Sequence, residues 1–203
     1  MTPIPRPIIT GATDASGVPQ ARRALFLDRD GVINVNHGYV HTPDRTDWVP
    51  GIFDLARAAT SAGFVLVVVT NQAGIARGYY TQAQFEAYTR WLHGRFAEEG
   101  APLLATYYCP HHPDAGQGEL RVQCDCRKPR PGMLLAAISD WNLDPAGSIL
   151  VGDQVSDMAA AASAGIGLAM MVRGGGLGAV AAGVLASVSP PLQAQADLER
   201  VPE

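Results

Sequence analysis

The chain has 203 residues, 47% of them hydrophobic and 17% charged, with 15 Lys and Arg against 19 Asp and Glu for a formal charge of −4. A single domain of this size buries roughly 70% of the surface its unfolded chain exposes, so it needs no staples to fold, and the mild acidity argues against a protein built to grip a nucleic-acid backbone. With 22 glycines and 15 prolines the composition is not low-complexity, and its most apolar stretch, Ala164–Ala186, is broken by Arg173 and three glycines and so does not span a membrane.

Residues 1–21 are rich in Pro, Thr and Gly without periodicity and are expected to form a flexible extension. They hold no apolar segment of the secretory kind, so a cytoplasmic chain is the expectation, with residues 22–203 forming one domain. Ala24-Leu25-Phe26-Leu27 is a continuous apolar run ending at Asp28, the pattern of a parallel strand buried on both faces that delivers a polar residue at its carboxyl end. Phe64–Val69 followed by Thr70 and Asn71 repeats it, as does Ser148–Val151 followed by Gly152 and Asp153. Leu103–Tyr108 is a weaker fourth strand that runs into Cys109. Helical segments lie between these runs: Gly51–Ala62; Thr81–Glu98, with Thr81 and Gln84 in capping-box spacing; Pro131–Trp141, with proline at a first helical position; and Ser156–Ala164, closed by Gly165. The alternation predicts an α/β sandwich with a mostly parallel sheet and an active site at the carboxyl ends of the strands, where Asp28, Thr70 and Asp153 converge. Past Arg173, the glycine run and Pro190-Pro191 predict a C-terminus that packs weakly. Trp48, Trp91 and Trp141 are assigned to packing, and His93 to the Thr81–Glu98 helix.

Asp28 and Asp30 stand two apart after an apolar strand and before a turn glycine, so both can face one small cavity. Their mutual repulsion would leave one protonated, and a divalent cation such as Mg²⁺ resolves the conflict, freeing one as ligand and nucleophile and the other as proton donor. A capping acid and a turn acid on a solvated loop is the simpler alternative. Asp153 ends a strand and Asp157 lies one helical turn on, either reaching the same edge or favouring the helix macrodipole. Thr70-Asn71-Gln72-Ala73-Gly74 offers a hydroxyl, an amide and a glycine turn suited to phosphate oxygens, or a plain strand-to-loop turn. Lys128 is the only lysine in the chain. A compact ammonium suits a crowded site shared by a phosphoryl oxygen and a carboxylate; an ordinary surface lysine is the alternative.

Leu27-Asp28-Arg29-Asp30-Gly31-Val32-Ile33-Asn34, the run Thr70–Gly78, Cys126-Arg127-Lys128-Pro129 and Val151-Gly152-Asp153, in that order, resemble the four motifs of haloacid-dehalogenase-type (HAD-like) phosphatases. With His37-Gly38-Tyr39-Val40 and Cys109-Pro110-His111-His112-Pro113, the wording is similar to the D-glycero-D-manno-heptose 1,7-bisphosphate 7-phosphatase family over about residues 24–173. The resemblance implies a HAD-like, Rossmannoid fold that hydrolyses a small phosphorylated sugar. In it Asp28 would be the nucleophile and Asp30 the general acid and base, with Thr70 and Lys128 stabilising the phosphoryl group. Mg²⁺ would be held by Asp28, the Asp30 backbone carbonyl and Asp153, and substrate by Asn36, His37, Gly38, Tyr39, Asn71, Gln72, Ala73 and Arg127. The stretch between Asp30 and Thr70 is too short for a large cap domain. Gln154 stands where many relatives carry lysine, which removes a charge near the distal phosphate.

Cys109, Cys124 and Cys126 fall within eighteen residues, an odd number in a reducing compartment, where metal ligation is a better reading than a disulfide framework. With a histidine they make a complete tetrahedral zinc set, and the family's structural zinc in this loop favours it. His111 is the expected fourth ligand and His112 its rival. Such a zinc would brace residues 110–123 beside Arg127 and Lys128. Histidinol-phosphate phosphatase is the alternative within the same family, and a zinc-loop binding module without catalysis the alternative from another class. The expected partners are a phosphorylated sugar, no nucleic acid and no membrane, with the chain acting as a monomer.

Overall fold

The computed structural model describes residues 5–9, 21–172 and 177–188. Its elements in chain order are β1 (Ala24–Leu27), α1 (Ile52–Ser61), β2 (Val65–Asn71), α2 (Ala73–Ala76), α3 (Gln82–Glu98), β3 (Leu103–Cys109), α4 (Gly132–Trp141), β4 (Ile149–Gly152), α5 (Val155–Ala164), β5 (Leu168–Met171) and α6 (Gly178–Val188). The five strands form one parallel sheet in the order β3-β2-β1-β4-β5.

Alternation along the strands explains the layers. Leu25, Leu27, Leu66, Val68 and Val151 point to one face, where they pack with Leu55 and Ala59 of α1, Tyr88 and Leu92 of α3 and Val180 of α6. Ala24, Phe26, Val67, Val69 and Leu150 point to the other, against Leu134 and Ala137 of α4 and Ala160 and Ala161 of α5. Central strands covered on both faces need apolar residues at every position, which is why β1 carries no polar residue until it ends at Asp28. Residues 31–51 add only a 3-10 turn at Pro43–Arg45, so no large cap covers the sheet edge. No helix among the described residues is long and apolar enough to cross a membrane.

Two expectations are corrected and one strand is added. The C-terminal segment is expected to pack weakly, yet Leu177 and, on α6, Val180 and Val184 sit in the core; glycines interrupt hydropathy without preventing an apolar helix beyond them. β5 went unpredicted because Leu168–Met171 is an edge strand with two exposed residues, lacking the double-sided burial that marks the others. The N-terminal extension is not wholly detached, since Ile8 exchanges backbone hydrogen bonds with Thr106 on the free edge of β3 (3.0 and 2.9 Å) and is buried beside Tyr80, Phe85 and Tyr108. Pro190 and Pro191 lie outside the described residues.

Trp48 and Trp91 stack with ring centroids 5.7 Å apart, while Trp141 donates its Nε1–H to the Tyr107 hydroxyl on the opposite face. His93 is buried on α3 and shares a 2.8 Å hydrogen bond with Thr106 Oγ1; burial lowers its pKa from 6.5 to about 4. Between those values the unfolded chain takes up a proton that the folded chain refuses. Stability is therefore intact above pH 6.5 and falls as the pH drops toward 4, by up to about 3 kcal/mol. Urea unfolding at pH 7 and pH 4.5 is expected to show a smaller acid loss for His93→Gln than for the parent chain; equal losses would assign the effect to other groups.

Candidate active site

The chain runs from β1 outward to β2 and β3, then returns to place β4 on the other side of β1. Loops leaving β1 and β4 diverge at this switch point and open a crevice at their carboxyl ends. Asp28 follows β1 and Asp153 follows β4, and the Asp28 amide donates to Val151 O (2.9 Å), which seats the first carboxylate beside the second loop. A cavity of about 390 Å³ opens here, within the range of small-ligand sites.

Lys128 lies at its floor and is 4% exposed, with Nζ 2.8 Å from Asp28 Oδ1, 2.6 Å from Asp157 Oδ1 and 2.8 Å from Val69 O. Burial works against its charge, but Asp28 and Asp157 more than offset that and raise its pKa. Burial likewise pushes Asp28 up, to about 6, against the pull of Lys128, with Asp157 and Asp30 adding repulsion. Asn71 fixes the lysine's backbone from both sides, accepting from Lys128 N (3.0 Å) and donating to Lys128 O (3.1 Å). Asp157, left open between a site acid and a helix-end acid, does both, because its other oxygen accepts from the Gln154 amide at the start of α5 (3.0 Å).

The Asp30 carboxylate lines the same cavity but has a different set of partners. It accepts from Arg29 Nη2 (3.0 and 2.8 Å), Asn34 Nδ2 (3.1 Å) and Gln72 Nε2 (3.2 Å). Gln72 also donates to Thr70 Oγ1 (2.8 Å) and accepts from the Tyr80 hydroxyl (2.6 Å), so its amide is fully used inside the protein and the Thr70 hydroxyl proton is left over for a ligand. A Cβ on Gly74 would stand 2.2 Å from the Tyr80 ring, which is why a glycine lets this tyrosine reach Gln72.

Asp28, Asp153 and Asp157 each offer a carboxylate oxygen within 4.8 Å of the others. Asp153 Oδ1 is buried with no hydrogen-bond partner, and Gly31, at φ +93°, leaves room for its Oδ2 where a Cβ would stand only 2.4 Å away. An orphaned buried carboxylate oxygen beside two more carboxylates is the donor set of a hard divalent cation, so the residues present fit Mg²⁺.

Of the expected substrate residues, Asn36, Gly38, Tyr39, Asn71, Gln72 and Ala73 line the cavity with Asp28, Asp30, Thr70 and Lys128. Gln154 lines it too and donates to Asp153 Oδ2 (2.8 Å). His37 does not; its Nε2 meets Asp47 Oδ2 at 2.7 Å on the outer side of the loop. Arg127 lines a neighbouring cavity, with Pro113, Cys124 and Arg130, that shares Lys128 with the first, and it donates to His111 O (3.3 Å). Arg29, Asn34 and Tyr80 were not singled out from the sequence. Arg29 and Asn34 fall within the first motif, but an arginine between two acids reads as a solvated loop and assigns neither a role, while Tyr80 acts across eight residues.

Cys109, His111, Cys124 and Cys126 are all buried and converge: Sγ of Cys124 lies 3.5 Å from Cys109 and 3.2 Å from Cys126, and His111 Nδ1 lies 3.3 Å from Cys126. These are near the edge lengths of a tetrahedron around an ion with about 2.3 Å bonds to sulfur. His111 belongs to this convergent set and His112 does not; the His112 Nδ1 instead accepts from the amides of Asp114 and Ala115 (3.2 and 3.0 Å). All three cysteines are free of disulfides.

The HAD-hydrolase-like family model matches residues 125–185. The chain is 51% identical over 152 residues to the D-glycero-beta-D-manno-heptose-1,7-bisphosphate 7-phosphatase of Escherichia coli K12, covering 75% of this chain and 80% of that one. It is 50% identical over 150 residues to the D-glycero-alpha-D-manno-heptose-1,7-bisphosphate 7-phosphatase of Burkholderia mallei, covering 74% and 79%. Among solved structures it resembles D,D-heptose 1,7-bisphosphate phosphatase from B. bronchiseptica, complexed with magnesium and phosphate, at a TM-score of 0.67 and 31% identity over 88% of this chain and 99% of that one. With these identities over most of its length and a five-stranded parallel sheet presenting Asp28, Asp153 and Lys128 at its switch point, the chain belongs to the haloacid-dehalogenase-type heptose-bisphosphate phosphatases.

Proposed function

We propose that this chain removes the 7-phosphate of D-glycero-D-manno-heptose 1,7-bisphosphate through an aspartyl-phosphate on Asp28. The carrying observation is Asp28 itself, a buried carboxylate at the floor of a sugar-sized cavity, 2.8 Å from the only lysine. In this reading an Asp28 oxygen forms a bond to phosphorus as the bond from phosphorus to the C7 oxygen breaks, and Asp30 gives the departing oxygen its proton. Asp30 then takes a proton from the water that attacks phosphorus, releasing phosphate and restoring Asp28. Lys128 and the free proton of Thr70 stabilise charge on the transferring group. Asp28, Asp153 and the Asp30 carbonyl would hold Mg²⁺, which would supply charge neutralisation for the transferring phosphoryl group.

Asn36, Gly38, Tyr39, Asn71 and Ala73 contact the sugar, and Gln72 acts through Thr70 and Asp30. His37 and Arg127 join when a substrate larger than the cavity floor reaches them, Arg127 taking the second phosphate with its forked donors. Zn²⁺ fits the Cys109, His111, Cys124 and Cys126 cluster as a structural ion, with all four positions filled by protein. Three thiols gathered without disulfides suit the reducing cytoplasm.

The test is kcat/KM for phosphate release, with Mg²⁺, from both heptose bisphosphate anomers and from histidinol phosphate on one preparation. The expected result is a heptose preference of about 100-fold, or some 2.7 kcal/mol in the transition state. Faster release from histidinol phosphate would overturn the substrate, and no release from any of the three would overturn the chemistry.

A further inference from the structure

Arg29 is 2% exposed, and its close hydrogen bonds run through one guanidinium nitrogen, with the Tyr80 hydroxyl also beside the group. Nη2 takes both oxygens of Asp30 (3.0 and 2.8 Å) and the carbonyl of Val40 (2.6 Å). The guanidinium lies over the rings of Phe85 and Tyr88, 5.7 and 5.3 Å from their centroids. Its backbone is held as firmly, because Arg29 O accepts from the amides of Ile33 (2.8 Å) and Asn34 (3.1 Å) in the turn that follows. An ion pair whose arginine is buried gains little net stability, because the cost of taking the guanidinium out of water offsets the attraction of its carboxylate. The pair therefore calls for an explanation outside stability.

We propose that Arg29 is a positioning residue that holds the Asp30 carboxylate where it meets the leaving oxygen, and that it ties this placement to the substrate loop through Val40. The same Nη2 bridges the acid and the last residue of the segment 36–40, whose Asn36, Gly38 and Tyr39 line the cavity. Displacing that loop displaces the acid. Asn34 and Gln72 supply the other two donors to Asp30, so the carboxylate is held from three chain segments, but Arg29 alone contacts both of its oxygens. The inference rests on the acid role proposed above for Asp30.

That role makes a distinctive demand. An alkyl oxygen leaving from a sugar needs a proton, whereas p-nitrophenolate leaves without one. kcat/KM covers only the steps through departure of the leaving group, so breakdown of the phosphoenzyme does not enter. The experiment compares kcat/KM for heptose 1,7-bisphosphate with that for p-nitrophenyl phosphate in the parent chain, Arg29→Met, Arg29→Lys and Asp30→Asn. For Arg29→Met the alkyl-to-aryl ratio is expected to fall by about 100-fold, within the range of general-acid catalysis. Arg29→Lys, which keeps the charge but cannot span both Asp30 oxygens and Val40 O, is expected to lower the ratio about 10-fold, and it carries the test if Arg29→Met does not fold. Guanidinium added to Arg29→Ala is expected to recover the ratio and not merely the overall rate. An unchanged ratio in Arg29→Met and Arg29→Lys, with Asp30→Asn lowering it, overturns the positioning role alone. An unchanged ratio in Asp30→Asn overturns the acid role and this inference with it.

Discussion

Asp28→Asn is expected to lower phosphate release by about four orders of magnitude or more, as removal of a covalent nucleophile does, and at the same time to stabilise the metal-free fold. The second effect follows from the position of Asp28. Its carboxyl is raised to about 6 in the folded chain, first by burial and then by Asp157 and Asp30. Between about pH 4 and 6 the folded state binds more protons at this group than the unfolded state, so stability is lost as pH rises through that window. At pH 7 the ionised form costs up to about 3 kcal/mol. An amide carries no such charge. Urea unfolding in chelator at pH 7 is expected to show Asp28→Asn as the more stable protein, and Mg²⁺ to stabilise the parent chain more than the variant. A variant that keeps more than a hundredth of the parent rate would remove Asp28 as the nucleophile, whatever its stability.

Lys128→Met is expected to damage both stability and rate. The ammonium sits between two carboxylates that are themselves buried, Asp28 at 7% and Asp157 at 1% exposure. Removing the cation leaves them facing one another in a dry pocket, and breaking a buried ion pair from one side typically costs about 3–5 kcal/mol. Loss of a preorganised donor to the phosphoryl group should lower kcat by about 100- to 1,000-fold. The two effects separate in the double variant Lys128→Met with Asp157→Asn. Removing one stranded charge should recover much of the unfolding free energy and none of the activity. Recovery of both would mean that the lysine serves the fold alone.

The architecture was legible because central parallel strands must be apolar at every position. Ala24–Leu27, the run to Val69 and Ile149–Val151 stood out, as did the polar residues that end them. Helix α3 was marked by Thr81 and Gln84, whose capping box is formed. Harder to read were elements defined by a neighbour rather than by their own pattern: edge strand β5, helix α6 beyond the glycines, and Ile8, which finds a partner about a hundred residues away at Thr106.

The sequence by itself determined the chemistry of this protein: two carboxylates after one strand, a third after another, a single lysine, and three cysteines with a histidine. Each belongs to a short segment whose residue types restrict what it can do. Only the tertiary structure decided how those groups share one site. It gave Lys128 to both Asp28 and Asp157, sent Asp30 to Arg29 and Asn34, and spent Gln72 on Tyr80 and Thr70. The physical reason is burial. In water each of these polar groups would be satisfied by solvent and its neighbours would not matter, but in a closed crevice each donor and acceptor needs a partner. Those partners come from β1, β2, the turn at 127–130 and the start of α5, segments far apart in the chain that meet where the sheet changes direction.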